Sequence, residues 1–340
     1  MNNKNVAVLG GGSFGTVLAN LAASNGYQVR LWVRDSEQAL RINSEGANKN
    51  YHPELKLSEN IYATDDLYAA TKQAAIIFVA TPSLVFENVI NRLHNNIPDD
   101  VFIISCTKGI KEKPFRTMSD IINQKFSNNK IIGVLSGPNL AKEIADQKVA
   151  GTVVASKNKK IQEDVKQIIS SNFFKVYSSE DVYGVELSGA LKNIYAIICG
   201  ISESLDVGEN ALGLILTRSM AEMSRFAVAK GGNPMTFLGL SGMGDLVATC
   251  TSKLSRNYKL GLFIGRGYKL EDAKEKVGQV AEGLRTLLVI KHQAEKENIS
   301  MPLVDSLYKI IYESNDPKSI IKDLVNNPHE IDVEFTYTTI

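Results

Sequence analysis

At 340 residues the chain is long enough for two domains, each with a core of its own. Hydrophobic residues make up 44% and charged residues 22%, with a net charge of +1, which argues against a nucleic-acid-binding or polybasic membrane surface. Cys106, Cys199 and Cys250 are too few and too scattered for a disulfide framework or a zinc ribbon, so small buried residues in a reducing compartment are expected.

Residues 6–9, VAVL, form a short, mostly β-branched run, and apolar residues at helical spacing follow over 14–23. Between them stands GGGSFG, with Gly10, Gly12 and Gly15 in the order G-x-G-x-x-G. In a dinucleotide-binding strand, turn and helix, the first glycine makes the bend and the second lets a pyrophosphate reach the backbone. The third lets the helix pack on the strand. The helix start then turns free amides and the positive end of its dipole towards the phosphates. A second β-rich run over 28–33 completes a βαβ unit, which sets the nucleotide reading above a merely structural glycine turn. At its end Arg34 suits the extra phosphate of NADP, Asp35 suits ribose hydroxyls, and the two also make sense as a solvated pair. NADPH is expected to be accepted and NADH not shut out.

Continuous apolar or β-branched runs at 75–79, 101–104, 131–135 and 152–154 predict strands covered on both faces, hence a mostly parallel sheet between helices. Ligands of such sheets bind beyond the carboxyl ends of the strands. SCTKG, residues 105–109, puts Lys108 there, against the plainer reading of a solvated turn lysine. LSGPNLAKE, residues 135–143, leaves another strand through Gly137-Pro138, with Asn139 expected to cap a helix. Its amides hold the ligand, or the motif is only a cap and breaker.

After about residue 183 strand signals stop. Leu187, Leu191, Ile194, Ile198, Ile201 and Leu205 recur in steps of four and three, predicting a helix over 185–205. Opposite that stripe fall Val185, Gly189, Lys192, Ala196, Cys199 and Gly200, small and mostly apolar, so something is expected to pack closely there. Lys192, the only cation of that face, either snorkels outward or lines a cleft, and its place near the expected domain junction favours the cleft. No stretch approaches the roughly 20 apolar residues that span a bilayer. The first apolar run is too short for a secretory signal, so a cytoplasmic location is expected.

GLSGMGDLVATCTSKLSRN, residues 239–257, combines glycines, the acid Asp245 and the trio Ser255, Arg256 and Asn257. Arginine offers a planar fork for phosphate oxygens, with Asn and Ser as neutral donors and Thr251 or Ser252 as the expected helix cap. The bland alternative is a capped surface helix with Lys253, Arg256 and Lys259 as a solvated basic face. In VAEG, residues 280–283, Glu282 either bonds a nucleotide or opens a helix. A dinucleotide fold, a buried lysine and a phosphate grip together point to hydride transfer involving a small phosphorylated alcohol or ketone. A proton must then move at the oxygen. Lysine serves once burial and a neighbouring cation, here Lys108, make its proton easier to lose. His52, His94, His292 and His329 have no comparable setting. The expected architecture is a Rossmann-type, mostly parallel α/β domain over 1–182, an all-helical domain over 183–328 and a tail over 329–340.

GGGSFGT, SCTKGI, LSGPNLAKE, GVELSGALKNIYAI, GLSGMGDLVATCTSKLSRN and VAEG, in this order, resemble the NAD(P)-dependent glycerol-3-phosphate dehydrogenases of bacterial type over essentially the whole chain. The resemblance implies interconversion of sn-glycerol 3-phosphate and dihydroxyacetone phosphate, mainly ketone reduction for phospholipid backbones, with NADPH or NADH and no metal. It implies Lys192 as general acid/base and Lys108 in contact with both cofactor and substrate. Gly137, Asn139, Asp245, Ser255, Arg256 and Asn257 would surround the substrate, and Ser13, Phe14, Arg34, Ala141, Arg256, Val280 and Glu282 would contact the cofactor. A homodimer is the usual assembly. Asn139 stands where many relatives have Ser or Thr, and Ser219 replaces a usual glycine. Two alternatives stay open. A 3-hydroxyacid dehydrogenase of similar build would bind a carboxylate rather than a phosphate, and a nicotinamide-sensing protein without catalysis would have no use for Lys192.

Overall fold

The computed structural model describes residues 5–93, 97–98, 100–126, 131–278 and 281–326. The expected tail over 329–340 lies outside them. The chain divides into two compact units, Met1–Glu186 and Leu187–Ile340, the division falling inside the helix Val182–Ser204.

In the first unit the β-branched runs pair into an eight-stranded sheet. Its strands are β1 (Asn5–Leu9), β2 (Gln28–Trp32), β3 (Ile61–Thr64), β4 (Ile76–Val79) and β5 (Phe102–Ser105). After a small antiparallel hairpin of β6 (Ile110–Lys111) and β7 (Arg116–Thr117) come β8 (Ile131–Ser136), β9 (Ala150–Ala155) and β10 (Phe174–Ser179). The order is β10-β9-β8-β5-β4-β1-β2-β3. From β8 to β3 all neighbours are parallel, while β9 and β10, parallel to each other, run antiparallel to β8.

Alternate residues of β1 enter opposite cores. Val6 and Val8 cluster with Val17, Leu18 and Leu21 of the helix Ser13–Ser24 and with Ile161 and Val165 of Lys159–Ile169. Ala7 and Leu9 cluster with Phe86 and Ile90 of Ser83–Leu93 and with Ile121 and Ile122 of Met118–Lys125. Burial on both faces is why the central strands read as unbroken apolar runs. The result is the doubly wound, Rossmann-type arrangement, its chain order reversing at β1 and β4. The edge strands escaped the sequence reading because they lack that pattern. β3 has four residues, and β10 alternates buried Phe174 and Val176 with exposed Lys175 and Tyr177.

Among the described residues the second unit contains helices and no strand. Leu187, Leu191, Ile194, Ile198 and Ile201 are buried, and so is the opposite face of the helix. A Cβ added to Gly200 would lie 2.1 Å from the Tyr258 carbonyl oxygen, and one on Gly261 would lie 2.0 Å from that of Ile197. Val182–Ser204 and Arg256–Gly265 therefore cross backbone against backbone, as the small face predicts. Ser219, the departure from glycine, is buried with its hydroxyl donating to the Ile215 carbonyl.

One expectation needs correcting. Val182–Ser204 has 23 residues and a mean hydropathy of 1.2, enough by length and composition to cross a membrane, yet its apolar window is 100% buried within the protein. Counting uninterrupted apolar residues overlooks a core helix in which Lys192 pairs with Asp245 and Glu186 accepts from Ser119. No other described helix is long and apolar enough to cross a membrane.

Gly261→Ala would push a methyl against the Ile197 carbonyl, and overpacking of this kind costs about 1–3 kcal/mol. The urea midpoint of the variant should fall accordingly; an unchanged midpoint would contradict the backbone crossing.

Candidate active site

The glycine turn has the backbone geometry its spacing predicts. Gly10, at φ +118°, bends the chain where a Cβ would lie 2.7 Å from the Ala80 carbonyl oxygen. A Cβ on Gly15 would lie 1.9 Å from the Gly10 oxygen, so only hydrogen lets the helix Ser13–Ser24 start this near β1. A Cβ on Gly12 meets nothing within 4 Å, and no side chain caps the helix. An open side at the second glycine and uncapped first-turn amides fit a dinucleotide pyrophosphate. Phe14 and Ala141 are half-buried against the same core. Arg34 is exposed, with no hydrogen bond or ion pair among the described residues. The Asp35 carboxylate accepts from Glu37 N at 2.9 Å and caps the helix Ser36–Glu45. The three readings of this pair thus separate: Asp35 is a local cap, and Arg34 is available for a ligand.

Along the carboxyl ends of the strands, the Thr107 hydroxyl donates to the Thr81 carbonyl at 2.7 Å, and Lys108 Nζ donates to the Gly137 carbonyl at 2.9 Å. Lys108 is therefore a half-buried bridge between strand ends rather than a solvated turn lysine. Asn139 does not cap a helix, which corrects the expectation. The helix Ala141–Ala145 has Leu140, not Asn139, at its cap position with no side-chain bond, and the Asn139 Nδ2 donates to Thr152 Oγ1 at 3.0 Å. Asn139 Oδ1 is buried with no hydrogen-bond partner among the described residues.

In the second unit Lys192 is 6% exposed, which rules out snorkelling. Its Nζ donates to Asp245 Oδ1 at 2.5 Å and to Thr249 Oγ1. Asp245 and Thr249 stand four residues apart on the helix Asp245–Cys250, which continues a π-helical turn over Leu240–Gly244. Within the helical unit, the charged neighbour in contact with Lys192 is thus the anion Asp245.

Nor do Thr251 or Ser252 cap the next helix. Ser255 does, its hydroxyl oxygen accepting from Tyr258 N at 3.3 Å, being the residue immediately before Arg256–Gly265. Asn257 Nδ2 donates to Asn193 Oδ1 at 3.0 Å while its Oδ1 accepts from Gly283 N at 3.0 Å. Lys253, Arg256 and Lys259 are exposed, as the solvated-face alternative has it. Glu282 opens the helix Glu282–Glu297, and Val280 lies outside the described residues. Among the described residues no group of three or more His, Cys, Asp or Glu is placed to hold a metal ion.

The family model described as the N-terminus of NAD-dependent glycerol-3-phosphate dehydrogenase matches residues 5–162, and that of the C-terminus matches 181–322. The chain belongs to this family. The glycerol-3-phosphate dehydrogenase (NAD(P)+) of Alcanivorax borkumensis is 48% identical over 331 residues, 97% of this chain and 96% of that protein. The one from Saccharophagus degradans is 46% identical over 329 residues, 97% and 92% of the two chains. The crystal structure of glycerol-3-phosphate dehydrogenase from Coxiella burnetii matches with a TM-score of 0.91 at 35% identity, covering 95% of this chain and 99% of that one. As a member of the glycerol-3-phosphate dehydrogenase family, the chain is an NAD(P)-dependent oxidoreductase.

Sequence reasoning missed several residues bonded to the candidate site residues. Thr249 was legible from its i,i+4 spacing to Asp245, and Asn193 adjoins Lys192. Asn48 donates to the Gly11 carbonyl at 3.0 Å and His52 Nε2 lies 2.9 Å from the Ser13 carbonyl, but both come from a polar loop without periodicity. Two buried acids also went unremarked. Glu222 accepts from Tyr195 Oη at 3.1 Å and from Leu303 N at 2.6 Å, and burial pushes its carboxyl up to about 8 against the pull of those bonds. Burial likewise pushes Glu186, which accepts from Ser119 N at 2.9 Å, up to about 7.

Between the ordinary carboxylate range and their folded values, both carboxyls hold in the folded chain a proton that they lose on unfolding. Their contribution is therefore full in acid and fades as pH rises through the folded values, towards about 8 for Glu222. Urea midpoints should fall over that interval, and Glu222→Gln should flatten the fall. An equally steep fall in the variant would contradict the assignment.

Proposed function

We propose that the chain reduces dihydroxyacetone phosphate to sn-glycerol 3-phosphate with NADPH, using Lys192 as general acid, and so supplies the backbone of phospholipids. The observation that carries this reading is the buried cluster of Lys192, Asp245 and Thr249. The nicotinamide cofactor supplies the hydride for the ketone carbon. As the carbonyl oxygen gains charge a proton must arrive there, and the Lys192 ammonium donates it; in the reverse direction the amine takes up the hydroxyl proton. Asp245 and Thr249 accept from that ammonium and so fix where its remaining hydrogen points. Its burial, at 6% exposure, keeps bulk water from competing as the proton source.

Donor and acceptor counts indicate how the other residues serve. The Ser255 oxygen is occupied by Tyr258 N, so its hydroxyl hydrogen is the part offered to the substrate phosphate. Asn257 keeps one Nδ2 hydrogen beyond its bond to Asn193, and Arg256 adds its planar fork. In the first unit, Lys108 brings its ammonium to the Gly137 carbonyl, and Asn139 Oδ1 is an acceptor for a substrate hydroxyl. Gly10, Gly12, Ser13, Phe14, Gly15 and Ala141 hold the dinucleotide, with Arg34 on the 2'-phosphate. Glu282 stays a cofactor contact on the resemblance alone. Residues 1–182 act as the cofactor domain and 183–328 as the catalytic domain. A cytoplasmic homodimer belongs to the same reading; the free, buried Cys106, Cys199 and Cys250 suit a reducing compartment.

An absorbance assay of NADPH and NADH oxidation with dihydroxyacetone phosphate tests substrate and cofactor together; turnover of a 3-oxo acid instead would overturn the proposal. Lys192→Ala should lose roughly 100- to 10,000-fold in turnover while keeping its NADPH affinity, and unchanged turnover would remove the lysine from the mechanism. Arg34→Ala should raise KM for NADPH about tenfold or more, the worth of a charge-assisted hydrogen bond, without affecting KM for NADH. Equal effects on both would contradict the 2'-phosphate role.

A further inference from the structure

His52 is 5% exposed and follows Asn48, whose carbonyl accepts from the His52 backbone N at 2.9 Å. Its Nε2 lies 2.9 Å from the Ser13 carbonyl oxygen and 3.0 Å from Ser13 Oγ. A carbonyl oxygen only accepts, so Nε2 carries the ring hydrogen. That single hydrogen is shared between the carbonyl and the Ser13 hydroxyl oxygen, so the hydroxyl accepts and has its own hydrogen left to point away from the imidazole. Ser13 is the first residue of its helix, beside Gly12, where the backbone is open and no side chain caps. The carbonyl on the other side of Gly12, that of Gly11, is held by Gln38 Nε2 at 2.8 Å and Asn48 Nδ2 at 3.0 Å. Gly12 is thus gripped through both flanking carbonyls while its own surface is left free.

We infer that His52 is a positioning residue for the dinucleotide: its imidazole fixes the Ser13 hydroxyl as a hydrogen-bond donor towards the pyrophosphate. The inference rests on the reading that the glycine turn binds the cofactor, and it adds a residue from outside the turn. The chemistry recognised is a phosphate oxygen, which takes hydrogen bonds and offers none.

Trp32, the chain's single tryptophan, ends β2, and its carbonyl accepts from Gly10 N at 3.0 Å. Quenching of its emission on addition of NADPH, whose dihydronicotinamide absorbs in that range, would follow binding without turnover. His52→Leu should raise the NADPH Kd about tenfold, and His52→Gln, whose Nε2 hydrogens reach the same oxygens, should restore it. KM for NADPH should rise with Kd, while turnover at saturating cofactor changes far less. A wild-type Kd in His52→Leu, or an equal loss in both variants, would overturn the inference. Gly12→Val separates the two levels. If it loses NADPH while His52→Leu keeps it, only the role of His52 falls; if it binds as the wild type does, the turn is not the site and both readings fall.

Discussion

A lysine amine and a carboxylate, Lys192 and Asp245, lie 2.5 Å apart in the interior of the helical unit. Removing two charges from water costs several kcal/mol per ion, and their attraction offsets this only with good geometry and further hydrogen bonds. Thr249 supplies one such bond, and the neighbouring helices supply the rigidity. Gly200 and Gly261 let the lysine helix meet Arg256–Gly265 at backbone distance. Asn257 then joins that helix to Asn193, next to the lysine, and to Gly283 at the start of Glu282–Glu297. The glycine crossing and the asparagine bridge hold the frame in which a buried amine stays aimed.

The first unit solves its problem by leaving side chains out. A phosphate is to be met by backbone amides, so the turn has to be narrow at Gly10 and Gly15 and bare at Gly12. Bareness leaves nothing in the turn itself to stiffen it. Stiffness comes from Gln38, Asn48 and His52, which hold the Gly11 and Ser13 carbonyls. The same unit presents Lys108 and Gly137 at strand ends of one sheet edge, where an open parallel sheet receives ligands.

How much of this was legible follows from which residues carry periodic or steric signatures. The central strands were readable because both faces are covered, and the lysine helix because its stripe and its small face each keep the helical period. β3 and β10 were not, since an edge strand loses one face of its pattern. Among the site residues, Gly10, Gly12 and Gly15 announce themselves by spacing, whereas an ion pair between positions 53 apart, Lys192 and Asp245, leaves no local trace. That is why Asp245 was not paired with Lys192 from the sequence. Asn139 and Ser255 show the same limit for caps. Both types suit an N-cap, but Ser255 stands immediately before its helix, whereas Leu140 separates Asn139 from the helix Ala141–Ala145.

The central claim is that a hydrogen ion reaches the substrate oxygen from the amine at position 192. Chemical rescue tests it most directly: small primary amines of graded acidity are added to Lys192→Ala, and dihydroxyacetone phosphate reduction is followed at saturating NADPH. The account predicts that the amines restore turnover, with rates that rise with the acidity of the added ammonium. A residual rate indifferent to every amine, in a variant that still binds NADPH, would contradict it.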